Sequence, residues 1–505
     1  MKYLMGIDNG GTFSKAAIFD ENGNQIAVAS QKTEIYIPKS GYMERNLNDL
    51  WNINIQVIQQ AIKKSGLLSS DIVGVSFSGH GKGLYLIDKN NKPLGNGILS
   101  TDIRAQNIVN EWKNNGIEKK IYEKTFQKIL ACQPIALLSF LKKYNNEVFK
   151  KIKYIFSVKD FIRFMLTNEA YAEYSDFSGG NLVNLKTKEY DEELLKILDL
   201  EEIMEKLPPL KKSSDICGYI TKEVAKITGL QEGTPVAAGM FDIDACGIAT
   251  GLSNENKLCM IAGTWSINEY ISKEIIKNSN TTLNSIYCIP NYYLIEESSP
   301  TSAGNLEWFI RNILNTDLEI SKNTKKSIYD LVNKLVASIK PEETNLFFLP
   351  YLNGSPENSK AKASFIGLRM EHTKAHMLRA IYEGIVFSHM MHLEKLLNNR
   401  LKPEIIQLSG GAANSSVWVQ MFADITQIPI ETVKDKELGA QGAAMVAGIA
   451  SGVYKDIFEA IDKCVHFNNI IKPRKEYYDI YKEKYLKYKY IVKYMNNIWD
   501  KINID

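Results

Sequence analysis

Asp8, Gly10, Gly11, Thr12 and Lys15 stand together in the stretch LMGIDNGGTFSKAAIFD, which runs from Leu4 to Asp20. An acid, two glycines, a hydroxyl and an amine at this spacing are the parts of a polyphosphate site. Glycines let a backbone approach a ligand closely, and consecutive N–H groups form a concave nest for an anion. A carboxylate beside that nest suits a hard divalent cation that bridges phosphates, so Asp8 is the candidate magnesium anchor. The element that must hold these groups is a hairpin. Leu4, Met5 and Ile7 predict a strand, Gly10-Gly11 a tight turn, and Ala16 to Phe19 a returning strand. An ordinary glycine hairpin that binds nothing has the same pattern, so what recurs downstream decides its weight.

The plan returns at Lys257, where LCMIAGTWSINEYIS repeats strand, Gly263-Thr264 turn, hydroxyl and returning strand. The repeat is weak by identity and clear by pattern, and it points to two similarly built domains that each hold one side of a polyphosphate. A further glycine pair, Gly410-Gly411, leads to Asn414 between a strand ending at Ser409 and a helix predicted over Val417 to Ile425. Free N–H groups and a helix dipole at such a junction suit an anion or the rim of an adenine pocket. The small-residue stretch Gly439 to Ala450 predicts a helix able to pack close against that glycine pair.

Positioning these turns takes a longer list of elements. Helical spacing of Leu47, Leu50, Trp51, Ile55, Ile58 and Ile62 predicts a helix capped by Asn46 or Asn48. Asp71 to Phe77 reads as a buried strand that breaks into Ser78-Gly79-His80-Gly81-Lys82-Gly83. Lys119 to Thr167 reads as helical, interrupted at Gln133-Pro134, and 167–184 as loop around Asp176. The Lys- and Tyr-rich tail 472–505 reads as a helix with a solvated face, a reading preferred over nucleic-acid binding.

With 505 residues the chain exceeds one core, and two domains are expected, 1–250 and 251–505. Its 61 basic and 58 acidic residues leave a net charge of +3, which demands neither nucleic acid nor membrane. The six cysteines form no CxxC pair and fit reduced thiols. No apolar run approaches the roughly 20 residues of a bilayer span, and the N-terminus lacks a signal-peptide pattern. The expected location is the cytoplasm. A GxxxxGK(S/T) run and the HRD and DFG triplets are absent, which excludes P-loop enzymes and protein kinases.

Nine motifs in order resemble the FGGY family of carbohydrate kinases, within the actin-like ATPase superfamily, from Tyr3 to about Val453. They are DNGGTFSK (8–15), SGHGKGL (78–84), STDIR (100–104), YSDFSG (174–179), GMFD (239–242), AGTWS (262–266), LPYLNGS (349–355), SGGAANSSVW (409–418) and GAQGAA (439–444). The resemblance implies an α/β fold of two actin-like (ribonuclease H-like) domains facing each other across a catalytic cleft, and ATP with Mg2+. It implies Asp242 as the base that takes a proton from a sugar hydroxyl. Asp244 is not excluded by spacing, and either aspartate could instead cap the following helix. Gly10, Gly11, Thr12, Lys15, Gly263 and Thr264 resemble the phosphate contacts, and Gly410, Gly411 and Asn414 the nucleotide border. Lys15 stands where many relatives have arginine, giving up a bidentate fork.

By the same resemblance, Lys82, Asp102, Arg104 and Asp176 face the sugar, His80 lines its pocket, and Glu44-Arg45 lies near the substrate mouth. Arg104 as a structural ion-pair partner of Asp102 is held nearly equal. His389 and His392 share a helix face and read as packing rather than metal ligands. GHGKGL and STDIR look most like the branch acting on L-xylulose and 3-keto-L-gulonate. Erythritol, D-ribulose, D-xylulose or glycerol remain alternative acceptors. A catalytically silent sugar sensor or a chaperone-like ATPase on the same fold are rival classes. A homodimer is the assembly the family implies.

Overall fold

The computed structural model describes residues 1–277, 283–355, 357–358, 360–398 and 402–502, so the last three residues of the tail lie outside the described residues. The chain forms two units. The first comprises Met1–Ser253, Ile271–Ile295 and Asp435–His466, and the second Asn254–Tyr270, Glu296–Lys434 and Phe467–Asp505.

In the first unit the strand Tyr3–Asn9 pairs antiparallel with Phe13–Asp20, which pairs antiparallel with Gln25–Lys32. On its other side Tyr3–Asn9 runs parallel to Ile72–Gly79, and Pro235–Ala237 and Ile216–Tyr219 complete that edge. Met5, Ile7, Ala16, Ile18, Val75 and Phe77 share a core with Leu47, Leu50, Val57 and Ile58 of the helix Leu47–Ser65. Asn46 starts that helix, its side chain accepting from the N–H groups of Asn48 and Asp49.

Side chains alternate along a strand, so Gly6 faces away from the core that Met5 and Ile7 enter. There the helix Leu438–Ala450 lies so close that a Cβ on Gly6 would sit 1.8 Å from the Ala440 carbonyl oxygen. Gly442 of the same helix meets the backbone of Ala245, in the helix Asp242–Ala249, where a Cβ would be 2.3 Å from the carbonyl oxygen. The small-residue helix therefore packs on the strand that carries Asp8 and on the helix that begins at Asp242. A stripe of small residues advertises close approach but does not name the partner; Gly6, itself lacking a Cβ, is the matching surface.

Two local expectations also change. Ile152–Phe156, inside the stretch expected to be helical, is a strand paired antiparallel with Tyr85–Asp88. Its β-branched and aromatic residues suit a half-buried pleat. Tyr174–Gly179, expected as loop, is a short helix capped by the Glu173 carboxylate, which accepts from the N–H groups of Ser175 and Asp176.

The second unit repeats the plan. Lys257–Ala262 pairs antiparallel with Ser266–Ser272, and on its other side runs parallel to Ile405–Ser409, beyond which lies Ile430–Glu431. The helix Lys374–Leu397 packs against Ser416–Thr426, where the rings of Tyr382 and Trp418 stack 4.0 Å apart. The tail helix Tyr478–Lys501 buries Tyr481, Tyr485, Tyr488, Val492 and Trp499, and its Lys484 ammonium pairs with Glu383 in the same core. Among the described residues no helix is long and apolar enough to cross a membrane.

Candidate functional site

Three parallel strand ends of the first unit meet at one level. Asp8 is in register with Ser78, and Ser78 with Met240 on its other side. The helix that follows opens with Asp242 as its first residue, Phe241 being the N-cap. Carboxyl ends of adjacent parallel strands are where open α/β sheets gather their ligands.

Asp8 accepts a hydrogen bond from Ser78 Oγ to Oδ1 (2.8 Å), and burial raises its pKa against the pull of Ser78 and Lys15. A Cβ at Gly439 would come within 2.9 Å of the Asp8 Cγ, so the carboxylate occupies room that only a glycine there leaves. With Oδ1 engaged and one further oxygen, a lone carboxylate fits a magnesium ion held mainly by water and phosphates. The Lys15 ammonium lies 2.6 Å from Glu437 Oε2, a pairing that the sequence did not reveal.

Burial pushes the Asp242 carboxyl well above the usual range; the charges of Asp8 and Asp176 push the same way, and Lys82 opposes them. Asp8, Lys82, Asp176 and Asp242 therefore share one electrostatic environment in this unit. Asp244 is fully buried, and its Oδ1 accepts the Cys288 N–H (2.9 Å) rather than capping its own helix.

Asp176 is 3 % exposed, and its Oδ2 makes no hydrogen bond but lies 3.4 Å from the Lys159 ammonium. Lys159 is itself fully buried and also faces Asp160 (3.0 Å) and Glu173 (3.5 Å). Burial drives the Asp176 pKa up to about 7, with Lys159 pulling it down. Lys82 and Asp176 line one small cavity of ≈ 10 Å³, room for about one water. The Lys82 ammonium lies 5.3 Å from the centre of the Phe241 ring, and Gly81 is pressed so close to that ring that a Cβ would meet it at 2.4 Å.

His80 bonds through Nε2 to the Tyr85 hydroxyl (2.8 Å), and burial drops its pKa to about 3, so it lines the pocket as a neutral ring. Asp102 is engaged on both oxygens. Oδ1 accepts from the Arg104 N–H (2.8 Å) and Nε (2.9 Å), and Oδ2 from the Met43 N–H (2.7 Å) and Arg104 Nη2 (2.8 Å). Arg104 Nη2 also reaches Glu44 (2.8 Å), and the guanidinium lies over the Tyr42 ring. The ion pair held in reserve for these two residues is the arrangement the structure adopts.

In the second unit the turn Gly263-Thr264-Trp265, exposed at Thr264 and Trp265, joins the two hairpin arms. Gly410, at φ +83°, sits so near this turn that a Cβ would be 2.7 Å from the Ala262 carbonyl carbon. Asn414 closes the short turn Gly411–Asn414 and is exposed. Sequence reasoning missed a third segment here. Ser302 N–H donates to the Thr264 carbonyl (3.1 Å), and Gly304 opens the helix Gly304–Asn312, its position for a Cβ 3.7 Å from the Thr264 Cα. Its only signal was a small-residue run, Ser302-Ala303-Gly304, ahead of a helix.

His389 stands behind that segment. Asn268 Nδ2 donates to the Glu297 carbonyl, which turns its Oδ1 to His389 Nδ1 (2.7 Å) and leaves Nε2 to accept from Ser302 Oγ (2.9 Å). Burial holds the His389 pKa down at about 3. His392 Nε2 meets Ser299 Oγ (3.2 Å).

The model of the FGGY N-terminal domain matches residues 3–248 and that of the FGGY C-terminal domain residues 258–451. The probable L-xylulose kinase of Pasteurella multocida is 36% identical over 489 residues, covering 97% of this chain and 98% of its own. The L-xylulose/3-keto-L-gulonate kinase of Escherichia coli is 36% identical over 492 residues, covering 97% of each chain. Among solved structures, the ligand-bound xylulose kinase from Lactobacillus acidophilus superposes with a TM-score of 0.90 at 26% identity, covering 99% of this chain and 100% of that one. The gluconate kinase from the same organism gives 0.89 at 26%, covering 99% of each chain. With both domain models matched in order and relatives aligned from end to end, the chain belongs to the FGGY family of carbohydrate kinases and is an enzyme of that class.

Proposed function

We propose that this carbohydrate kinase transfers the γ-phosphoryl group of ATP to a hydroxyl of a ketopentose, L-xylulose, with Asp242 as the general base. The observation that carries the reading is the Asp242 carboxyl, opening its helix beside Asp8, Asp176 and Lys82, with burial pushing its pKa well above the usual carboxylate range. A raised pKa makes a carboxylate the stronger proton acceptor. The relatives named for L-xylulose support the choice of sugar.

Within the first unit, Lys82 and Asp176 bind and orient sugar hydroxyls, and neutral His80 closes the wall. Asp102 holds Arg104 through Nε and Nη2, which leaves Nη1 for a hydroxyl. The N–H groups of Gly11 and Thr12, with Lys15, hold phosphate oxygens, while Gly10 shapes the turn that presents them; Asp8 anchors Mg2+ through water. Bound there, Mg2+ neutralises charge on the polyphosphate. In the second unit Gly263 and Thr264 hold the remaining phosphate oxygens, with Gly304 beside them, and Gly410, Gly411 and Asn414 border the nucleotide. These roles follow a division of labour between residues 1–250 and 251–505. The location is the cytoplasm and the assembly a homodimer, the latter checked by scattering mass.

The test is ADP release by the purified protein with Mg-ATP against L-xylulose, 3-keto-L-gulonate, D-xylulose, D-ribulose, erythritol and glycerol. A rise with L-xylulose that Asp242→Asn abolishes is the expected result. A flat response across the panel with ATP still bound would overturn the kinase assignment to these sugars.

A further inference from the structure

Arg45 is 1 % exposed, and its guanidinium is committed to the first glycine turn. Nη2 donates to the Gly11 carbonyl (2.6 Å) and Nη1 to the Gly10 carbonyl (3.4 Å), so one side chain grips two successive peptide groups of the first turn. The residue is fixed at the other end by the short pairing of Glu44–Arg45 with Gly97–Ile98. Its Nε is buried without a hydrogen bond, and no carboxylate pairs with it among the described residues.

The grip has a directional consequence. In a trans peptide the C=O and the next N–H point opposite ways, and the described residues include no cis bond. Holding the Gly10 and Gly11 carbonyls against Arg45 therefore turns the Gly11 and Thr12 N–H groups away from it. The turn's own backbone bonds, Gly10 N–H to Phe13 and Thr33 N–H to the Thr12 carbonyl, leave these two donors uncommitted. At Gly11 an added Cβ would meet nothing within 4 Å, so the turn borders open space. Consecutive N–H groups aimed into open space form an anion nest.

A buried cation without a counter-ion costs stability until an anion compensates it. Its charge already reaches His80, where it reinforces burial in keeping that ring neutral. We propose that Arg45 is a positioning residue for the polyphosphate: it aims the Gly11 and Thr12 N–H groups at a phosphate, and the bound phosphate compensates its charge. This rests on the reading of the Gly10–Thr12 turn as a phosphate site.

The test compares the full-length wild type with Arg45→Gln and Arg45→Lys by steady-state kinetics, with the thermal midpoint followed in ADP and in adenosine. Arg45→Gln, which removes the charge and one of the two donors, is expected to raise KM for ATP about tenfold and leave KM for the sugar within about twofold. Arg45→Lys keeps the charge but cannot fork to two carbonyls, and is expected to fall between. The midpoint shift caused by ADP should shrink in Arg45→Gln while the shift caused by adenosine persists. Folded variants with wild-type KM for ATP overturn the proposal, as does loss of folded protein in both, which would mark Arg45 as purely structural. A wild type that neither phosphorylates a sugar nor gains stability from ADP would instead sink the phosphate reading itself, and this proposal with it.

Discussion

Asp242 and Asp176 carry the same side chain in one charged environment, yet their surroundings give them different work. Burial does most to raise the Asp242 pKa, the carboxylates of Asp8 and Asp176 add to it, and Lys82 opposes them. Replacing it with asparagine removes the proton acceptor and keeps the shape. Asp242→Asn is expected to lower kcat by about 10²–10⁴-fold with KM for ATP within about twofold, read by ADP release. Asp176, raised to about 7 from 3.8, keeps its proton in the folded state where the unfolded chain has lost it. The stability that Asp176 contributes is therefore lost as pH rises from about 4 to 7, and stays lost above that window. Asp176→Asn should gain in thermal midpoint relative to wild type across that window and level off above it, and a constant difference from pH 4 to 8 would contradict the assignment.

At the scale of elements, the decisive contact is helix on strand. Leu438–Ala450 approaches Tyr3–Asn9 through Gly6 and Gly439, and at Gly439 the atoms in the way of a Cβ are those of Asp8. Alanine is the better helix former by about 1 kcal/mol, so Gly439→Ala would stabilise an isolated helix. Here it is expected to displace the Asp8 carboxylate, lower activity by up to about 100-fold, and raise the Mg2+ concentration needed for half-maximal rate. A Mg2+ titration of the variant separates this from a general loss of packing. In the second unit the Arg379–Glu383–Lys484 cluster fastens the tail helix. Removing the shared carboxylate in Glu383→Ala leaves two buried cations and is expected to cost about 3–5 kcal/mol in denaturant unfolding.

For the whole molecule, nucleotide binding and folding are linked. Anything that binds only the folded chain stabilises it, by about 2.7 kcal/mol at a hundred times Kd. ADP with Mg2+ is expected to raise the thermal midpoint, and EDTA to withdraw part of that gain in the wild type but little of it in Asp8→Asn. An equal EDTA effect in both proteins would remove Asp8 from the metal's surroundings.

Local chemistry was legible in the sequence itself. The two glycine hairpins, an asparagine cap at Asn46 or Asn48 and the helix after Ser415 depend on backbone preferences and near-neighbour hydrogen bonds, and these are written within a few residues; the structure chose Asn46. Nine motifs in order along the chain were enough to mark the FGGY resemblance. What only the tertiary structure decided are the partners: Lys15 with Glu437, 422 residues away, Asp176 with Lys159, Arg45 with the Gly10 and Gly11 carbonyls, and Gly6 with the helix at Ala440. The same holds for Ile152–Phe156, where pairing with Tyr85–Asp88 overrode a helical reading. A residue type states what a group can bond and how closely it can be approached. Which group arrives is set by the burial of distant surfaces against one another, and no local window of sequence contains that choice.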